Sequence, residues 1–339
     1  MKSIRVLTWT EVKFAALQIL EASMTLFNPD LPLHLLKGKE YGVDIHMLVA
    51  FLESRTRVRP RIIAPADLRL VANSNSSTGF SLCCVAKHDQ ISSEKDAGLK
   101  SSSGEDHEES LEPIYQVGLE LHQSELQALP VSIFQHLALC CFNDLRTVFL
   151  VHDKRMLGIV LQELEALVTK HHVLTAHQAA ILRNGIVETI IPGSPELEHF
   201  IHSCGDDPSF KDGFILKPIR GGKGEGILFG TDLTPDEWLS KLEGLRNPIL
   251  VSGKDSYVIQ RLVKQVKYDL LLRETDGLQR SPLVGTYLSI HGKFLGIGVW
   301  RSSPGRVCAI SHGGAWTCSV TPADPDREDT GTSQLDSNV

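Results

Sequence analysis

The chain has no apolar window approaching the ~20 residues that cross a bilayer, and even residues 14–26 are interrupted by Gln18 and Glu21. Its start, MKSIRVLTWTEVK, lacks the apolar block of a secretory leader. C-x-x-C spacing is missing, which argues against a zinc knuckle. The 7 cysteines are an odd number, and four of them form the adjacent pairs Cys83–Cys84 and Cys140–Cys141 within apolar runs. They read as small core residues of a protein in a reducing compartment, so a cytoplasmic location is expected. The net charge of −7 is spread along the chain, which excludes an obvious nucleic-acid surface. There is no internal repeat.

What is present is the composition of a globular protein. With 339 residues, 42% hydrophobic and 22% charged, the chain can bury the cores of two or three domains. Helical periodicity runs from Thr10 to about Leu26 and again over residues 43–53. Short strands are expected at 61–63, 67–71 and 80–86. Residues 87–110, KHDQISSEKDAGLKSSSGEDHEES, hold almost nothing apolar and cannot offset the entropy of ordering. Helices are expected at 119–129 and 133–142, and a strand at 147–151. Asp153 is the expected cap of a helix over 154–170, Thr175 and Ser194 cap two more, and a strand at 186–191 lies between these last two. Thr234, Pro235 and Glu237 make a capping box with proline at the first helical position. Strands follow at 249–251 and 257–262. A hairpin is expected from 283–290 and 294–300, then strands at 307–310 and 315–320. The domains predicted are an N-terminal α/β lobe (1–86), a disordered loop (87–112), a helical region (113–205), a C-terminal lobe (206–320) and a disordered acidic tail (321–339).

One stretch organises the rest. Residues 214–230, FILKPIRGGKGEGILFG, put a lysine, Lys217, on an apolar strand that runs into four closely spaced glycines and a second short strand. Gly221, Gly222, Gly224 and Gly226 let backbone N–H groups approach a ligand, and Arg220 and Lys223 add positive charge. No G-K-[ST] opens a helix, so this is not a Walker loop. A strand follows rather than a long helix, which excludes a Rossmann fingerprint. Lys217 precedes the loop, the reverse of the protein-kinase order. A strand lysine followed by a phosphate-covering hairpin remains, against the competing reading of a glycine-rich surface hairpin with incidental charge. A hydrolase is not indicated, since no G-x-S-x-G elbow occurs.

That order of parts resembles the ATP-grasp superfamily, an α+β (α/β) fold in which ATP lies between two antiparallel sheets. The resemblance implies that Lys154, in HDKRMLGIVLQEL, holds the phosphates together with Lys217 while Gly221, Gly222, Lys223, Gly224 and Gly226 close over them. It implies adenine contacts along SYVIQRLV, with main chain from Arg261 and Val263, Gln260 in the usual acidic place, and Asp269 on the ribose. LVGTYLSIHGKFLGIGVWRSS resembles the circularly permuted, glutathionylspermidine-synthase-like subgroup, and there Arg301 would steady a transferring phosphoryl or acyl phosphate. Such enzymes use Mg²⁺ held by an Asp and a Glu-x-Asn group. No Asp or Glu occurs between Asp276 and Asp324, which favours permutation and leaves Asp67 as the matching early metal ligand. The strand after it reads SLCCV instead of Glu-x-Asn, so either another residue such as Glu120 or Glu125 substitutes or metal binding is impaired. The implied reaction is ATP-dependent joining of a small-molecule carboxylate to an amine. The alternatives are a non-catalytic nucleotide-binding scaffold and a small-molecule phosphotransferase.

Overall fold

The computed structural model describes residues 4–6, 21–39, 43–57, 59–86, 109–142, 145–251, 255–309, 313–317 and 320–322. The chain divides into two compact units, Leu20–Asp153 and a second formed by Met1–Ile19 with Lys154–Val339. Strand β1 (Ile4–Val6) belongs to the second unit.

The Leu20–Asp153 unit begins with a strand–helix–strand passage, β2 (Leu33–Lys37), α1 (Val43–Thr56) and β3 (Arg61–Ile63). β2 pairs in parallel with β3 on one side and with β7 (Gln116–Glu120) on the other. A central parallel strand is covered on both faces, and LHLLK is buried at its first four positions. Leu35 packs with Ile45 and Val49 of α1. Leu36, by alternation, packs on the other side with Ile63, Leu82, Cys84 and Val117. That second face is covered by an antiparallel sheet of β4 (Leu68–Ala72), β5 (Phe80–Val85) and β6 (Leu111–Pro113). Helices α2 (Gln123–Gln127), α3 (Val131–Cys140) and α4 (Leu145–Val151) complete the unit. The expectation of a helix beginning at 119 fails because Gly118 and Leu119 belong to β7. A Cβ on Gly118 would lie 2.5 Å from the Phe142 ring and 2.9 Å from Leu35. The run TVFLV, expected as a strand, is helical in α4. Leu145, Val148 and Phe149 all pack on one core, and this burial outweighs the β-propensity of a short apolar run.

The second unit is built on a four-stranded antiparallel sheet in the order β10-β9-β11-β8, from β8 (Thr189–Ile190), β9 (Phe214–Pro218), β10 (Leu228–Phe229) and β11 (Tyr257–Arg261). Before it come α5 (Arg155–Thr169) and α6 (Ala176–Gly185). Helices α7 (Pro195–Asp206) and α8 (Pro235–Gly244) cover one face of the sheet. Ile190, Phe214, Leu216, Tyr257 and Ile259 pack there against Leu197, Phe200, Trp238 and Leu242. Three of the four expected caps are present. Ser194 and Thr234 accept from Leu197 N and Glu237 N, and Thr175 forms a box with Gln178.

A second antiparallel sheet follows in the order β12-β13-β16-β17, from β12 (Lys267–Leu271), β13 (Leu278–Val284), β16 (Trp300–Ser302) and β17 (Ala315–Thr317). The expected hairpin is β14 (Tyr287–Ile290) and β15 (Lys293–Ile297), turned by His291 and Gly292 at φ 51 and 72. β1 pairs with β18 (Val320–Pro322), so Thr321 and Pro322 are strand rather than tail. Residues 111 and 112, expected in the charged loop, lie in β6. Residues 249–251 and 307–309 are not strands. The expected disorder at 87–108 and 323–339, most of the first helix and Ile310 lie outside the described residues. Among the described residues no helix is long and apolar enough to cross a membrane. Cys84 is fully buried and Cys83 nearly so, while Cys140 and Cys141 are partly buried; all four are free thiols.

Candidate functional site: two lysines at a glycine hairpin

Strand alternation assigns Lys217 its face. Phe214 and Leu216 point into the core beneath α7 and α8, so Ile215 and Lys217 point the other way. Their register partners Gln260 and Val258 share that face, as do Thr189 beside Gln260 and Phe229 beside Ile215. Lys217 is partly buried there, and the loss of hydration holds its ammonium below the usual lysine pKa. Among the described residues it has no hydrogen-bond or ion-pair partner. A cation with these surroundings favours an anionic ligand.

Lys154 reaches the same strand end from α5. Its backbone N–H donates to Ile219 O at 3.0 Å. Its Nζ donates to Pro218 O at 2.8 Å and to Gly221 O at 2.9 Å. The backbone tie also explains a correction. The helix cap is Lys154 itself, without a side-chain cap bond, and not Asp153. α5 lies close over β8 because of Gly158, where a Cβ would meet Ile191 Cγ2 at 2.5 Å and Thr189 O at 2.7 Å.

The hairpin uses its glycines unequally. Gly221, Gly224 and Gly226 have φ of 86, 82 and 70, and Lys223 joins them at 57. These are left-handed conformations that glycine adopts without penalty. Gly224 is held doubly, since a Cβ there would meet Val307 Cγ1 at 2.1 Å. Gly222 has an ordinary φ and open space around it. The Val307 contact brings residues 303–309, which follow β16, onto the hairpin.

Arg306 reinforces that closure and was not legible in the sequence. Its guanidinium lies 4.0 Å from the centre of the Phe229 ring and binds both oxygens of Asp232. The hydrogen bond with Arg306 keeps the Asp232 carboxyl below its ordinary range. Arg306 lies just before the expected strand at 307–310 and outside every motif, so nothing in the sequence pattern marked it.

The remaining expected residues fall in several places. Gln260 is buried, and its Nε2 donates to Thr189 Oγ1 at 2.9 Å, so its side chain joins β11 to β8. Arg261 is exposed, ion-paired with Glu188 at 2.7 Å and stacked 4.9 Å over Phe214. Val263 is exposed just beyond the strand. Asp269 is exposed on β12, 3.5 Å from its cross-strand neighbour Arg280. Arg301 is partly buried on β16 and close enough to Cys308 to oppose the upward push of burial on that thiol. A pocket of about 420 Å³ opens between α5, β8 and α7, lined by Gln162, Glu188, Glu196 and His199 among others. Neither site lysine borders it.

The metal expectation is not supported. Asp67 lies in the Leu20–Asp153 unit, and its Oδ2 accepts from Ala64 N at 2.9 Å, closing its own turn. Glu125 accepts from His122 N and Lys39 N, and these bonds outweigh burial to hold its carboxyl low. Glu120 is in β7. Among the described residues no group of three metal-binding side chains lies in the unit that carries Lys217.

Comparison with known proteins bears on both units. Residues 6–150 match the family described as AnkG N-terminal domain. The sequence is 41% identical over 312 residues to a protein of Aspergillus thermomutatus named ATP-grasp enzyme ankG. The match covers 92% of this chain and 64% of that relative, so the chain spans a little less than two thirds of the relative's length. Along nearly all of its sequence, the chain is similar to a protein named as an ATP-grasp enzyme.

Proposed function

We propose that the chain binds ATP on the Lys217 face of its four-stranded sheet and supports joining of a carboxylate to an amine. The observation that carries this reading is the partly buried ammonium of Lys217, unpartnered among the described residues, at the foot of a hairpin with three positive-φ glycines. ATP supplies the phosphoryl group that activates the carboxylate. Lys217 offers the phosphates a cation whose dehydration has already been met by the fold. Lys154 moves from the carbonyls of Pro218 and Gly221 to a phosphate oxygen, exchanging neutral acceptors for a charged one. The hairpin N–H groups complete the cradle. Arg301 steadies the charge on the transferring group. The carboxylate oxygen attacks the γ-phosphorus and ADP leaves. The amine then displaces phosphate from the acyl carbon and loses its proton to give the amide.

Among the described residues of this unit no group of three metal-binding side chains comes together, and no step is assigned to a metal ion. That observation favours a second reading, a protein that binds nucleotide without turnover. ADP release measured with pools of acids and amines, with Mg²⁺ present, separates the two. An amide product of matching mass supports the ligase, and a phosphorylated product indicates a phosphotransferase. Tight ATP binding without turnover for any pair supports the scaffold.

A further inference from the structure

The Leu20–Asp153 unit buries a cluster that the nucleotide reading does not use. His34 on β2 is fully buried, and among the described residues neither ring nitrogen has a hydrogen-bond partner. An imidazole in that condition is costly, because each unmet polar atom loses hydration without compensation. Its Nε2 lies 3.3 Å from Glu112 Oε1, out of alignment for a hydrogen bond. Cys84, also fully buried, is the cross-strand partner of Glu112. The donor atoms of His34, Cys84 and Glu112 all lie within 4.8 Å of one another. Burial, and then the nearby Arg61 charge, bring the His34 pKa down to about 4. The Gln116 backbone acts in the opposite direction.

We propose that His34, Cys84 and Glu112 form a site for a borderline-soft divalent ion, with Zn²⁺ as the best match to one imidazole, one thiolate and one carboxylate. A tetrahedral zinc holds its donors about 3.3–3.8 Å apart, given bonds of roughly 2.0–2.3 Å. Small side-chain rotations close the cluster to that spacing, and water takes the fourth position. Binding breaks the Cys84 S–H bond, forms S–Zn, and passes the proton to solvent. Arg61 contacts the other oxygen of Glu112 and orients it, as an outer partner does for a ligating carboxylate. The ligands come from β2 of the parallel sheet and from β5 and β6 of the antiparallel one. The ion would therefore fasten the two sheets of this unit together.

The test uses the full chain, stripped with a chelator and titrated with zinc against a chromophoric competitor, then with cobalt as a spectroscopic probe. Stoichiometric zinc binding, and a near-ultraviolet thiolate-to-cobalt band that Cys84→Ser abolishes, are expected. Cys83→Ser should keep the band, because Cys83 faces the opposite side of β5. If Cys84→Ser does not fold, Glu112→Gln in its place should weaken zinc binding by at least about 10-fold, since losing a ligand costs no less than losing its outer partner. A chain that binds no zinc tightly, or a cobalt band that survives Cys84→Ser, overturns the proposal and leaves His34 as an unliganded core histidine. None of these readouts involves nucleotide, so failure here leaves the ATP reading untouched.

Discussion

The ammonium of Lys154 lies 2.9 Å from the carbonyl oxygen of Gly221, tying the start of α5 to the first residue of the glycine hairpin. A second bond, to Pro218, holds the preceding strand end. Lys154 therefore supports the hairpin before any phosphate is bound. Lys154→Ala should loosen it, and trypsin should cut after Arg220 and Lys223 several-fold faster than in the parent. Unchanged cleavage would mean that the hairpin is held without this lysine.

Gly224 and Gly222 should respond differently to a methyl group. Gly224→Ala forces a left-handed φ on alanine and pushes its Cβ into Val307. The backbone cost alone is about 1–2 kcal/mol. Gly222→Ala meets neither obstacle. Chemical denaturation should show the first variant destabilised and the second close to the parent, and ATP affinity should fall more for Gly224→Ala.

Lys217 should be the alkaline-reactive lysine. Burial lowers its folded pKa, so between that value and the ordinary lysine range the unfolded chain binds more protons. Stability therefore rises with pH through that window, and at neutral pH the charge is a burden on the fold. Lys217→Met should be at least as stable as the parent at pH 7. Acylation near pH 9 should mark Lys217 ahead of exposed lysines, and ATP should suppress the reaction.

Thr234→Ala tests the clearest local signal in the chain. Its hydroxyl accepts from Glu237 N at 3.3 Å, and losing the cap of α8 should cost about 1 kcal/mol. A denaturant midpoint measures this directly.

Those capping boxes were legible because side chains a few residues apart determine them. So were Lys217 and its hairpin, where glycine spacing and strand alternation act locally. β2 was not legible, since a strand buried on both faces shows no alternation. α4 was missed because its short apolar run fits either period, and distant packing decides between them. Arg306 and Val307 reach the hairpin across some 80 residues of intervening chain, a separation no local pattern encodes. Asp67 shows the same limit: its place in the sequence does not reveal that its carboxylate accepts from Ala64 N.

The central claim is that Lys217 and the hairpin hold ATP, and calorimetric titration of the full chain with a non-hydrolysable ATP analogue tests it most directly. The account predicts saturable binding by the parent and at least a ~10-fold loss, about 1.4 kcal/mol, in a Lys217→Met variant whose fold is intact by circular dichroism. Equal affinity in the two proteins would contradict it.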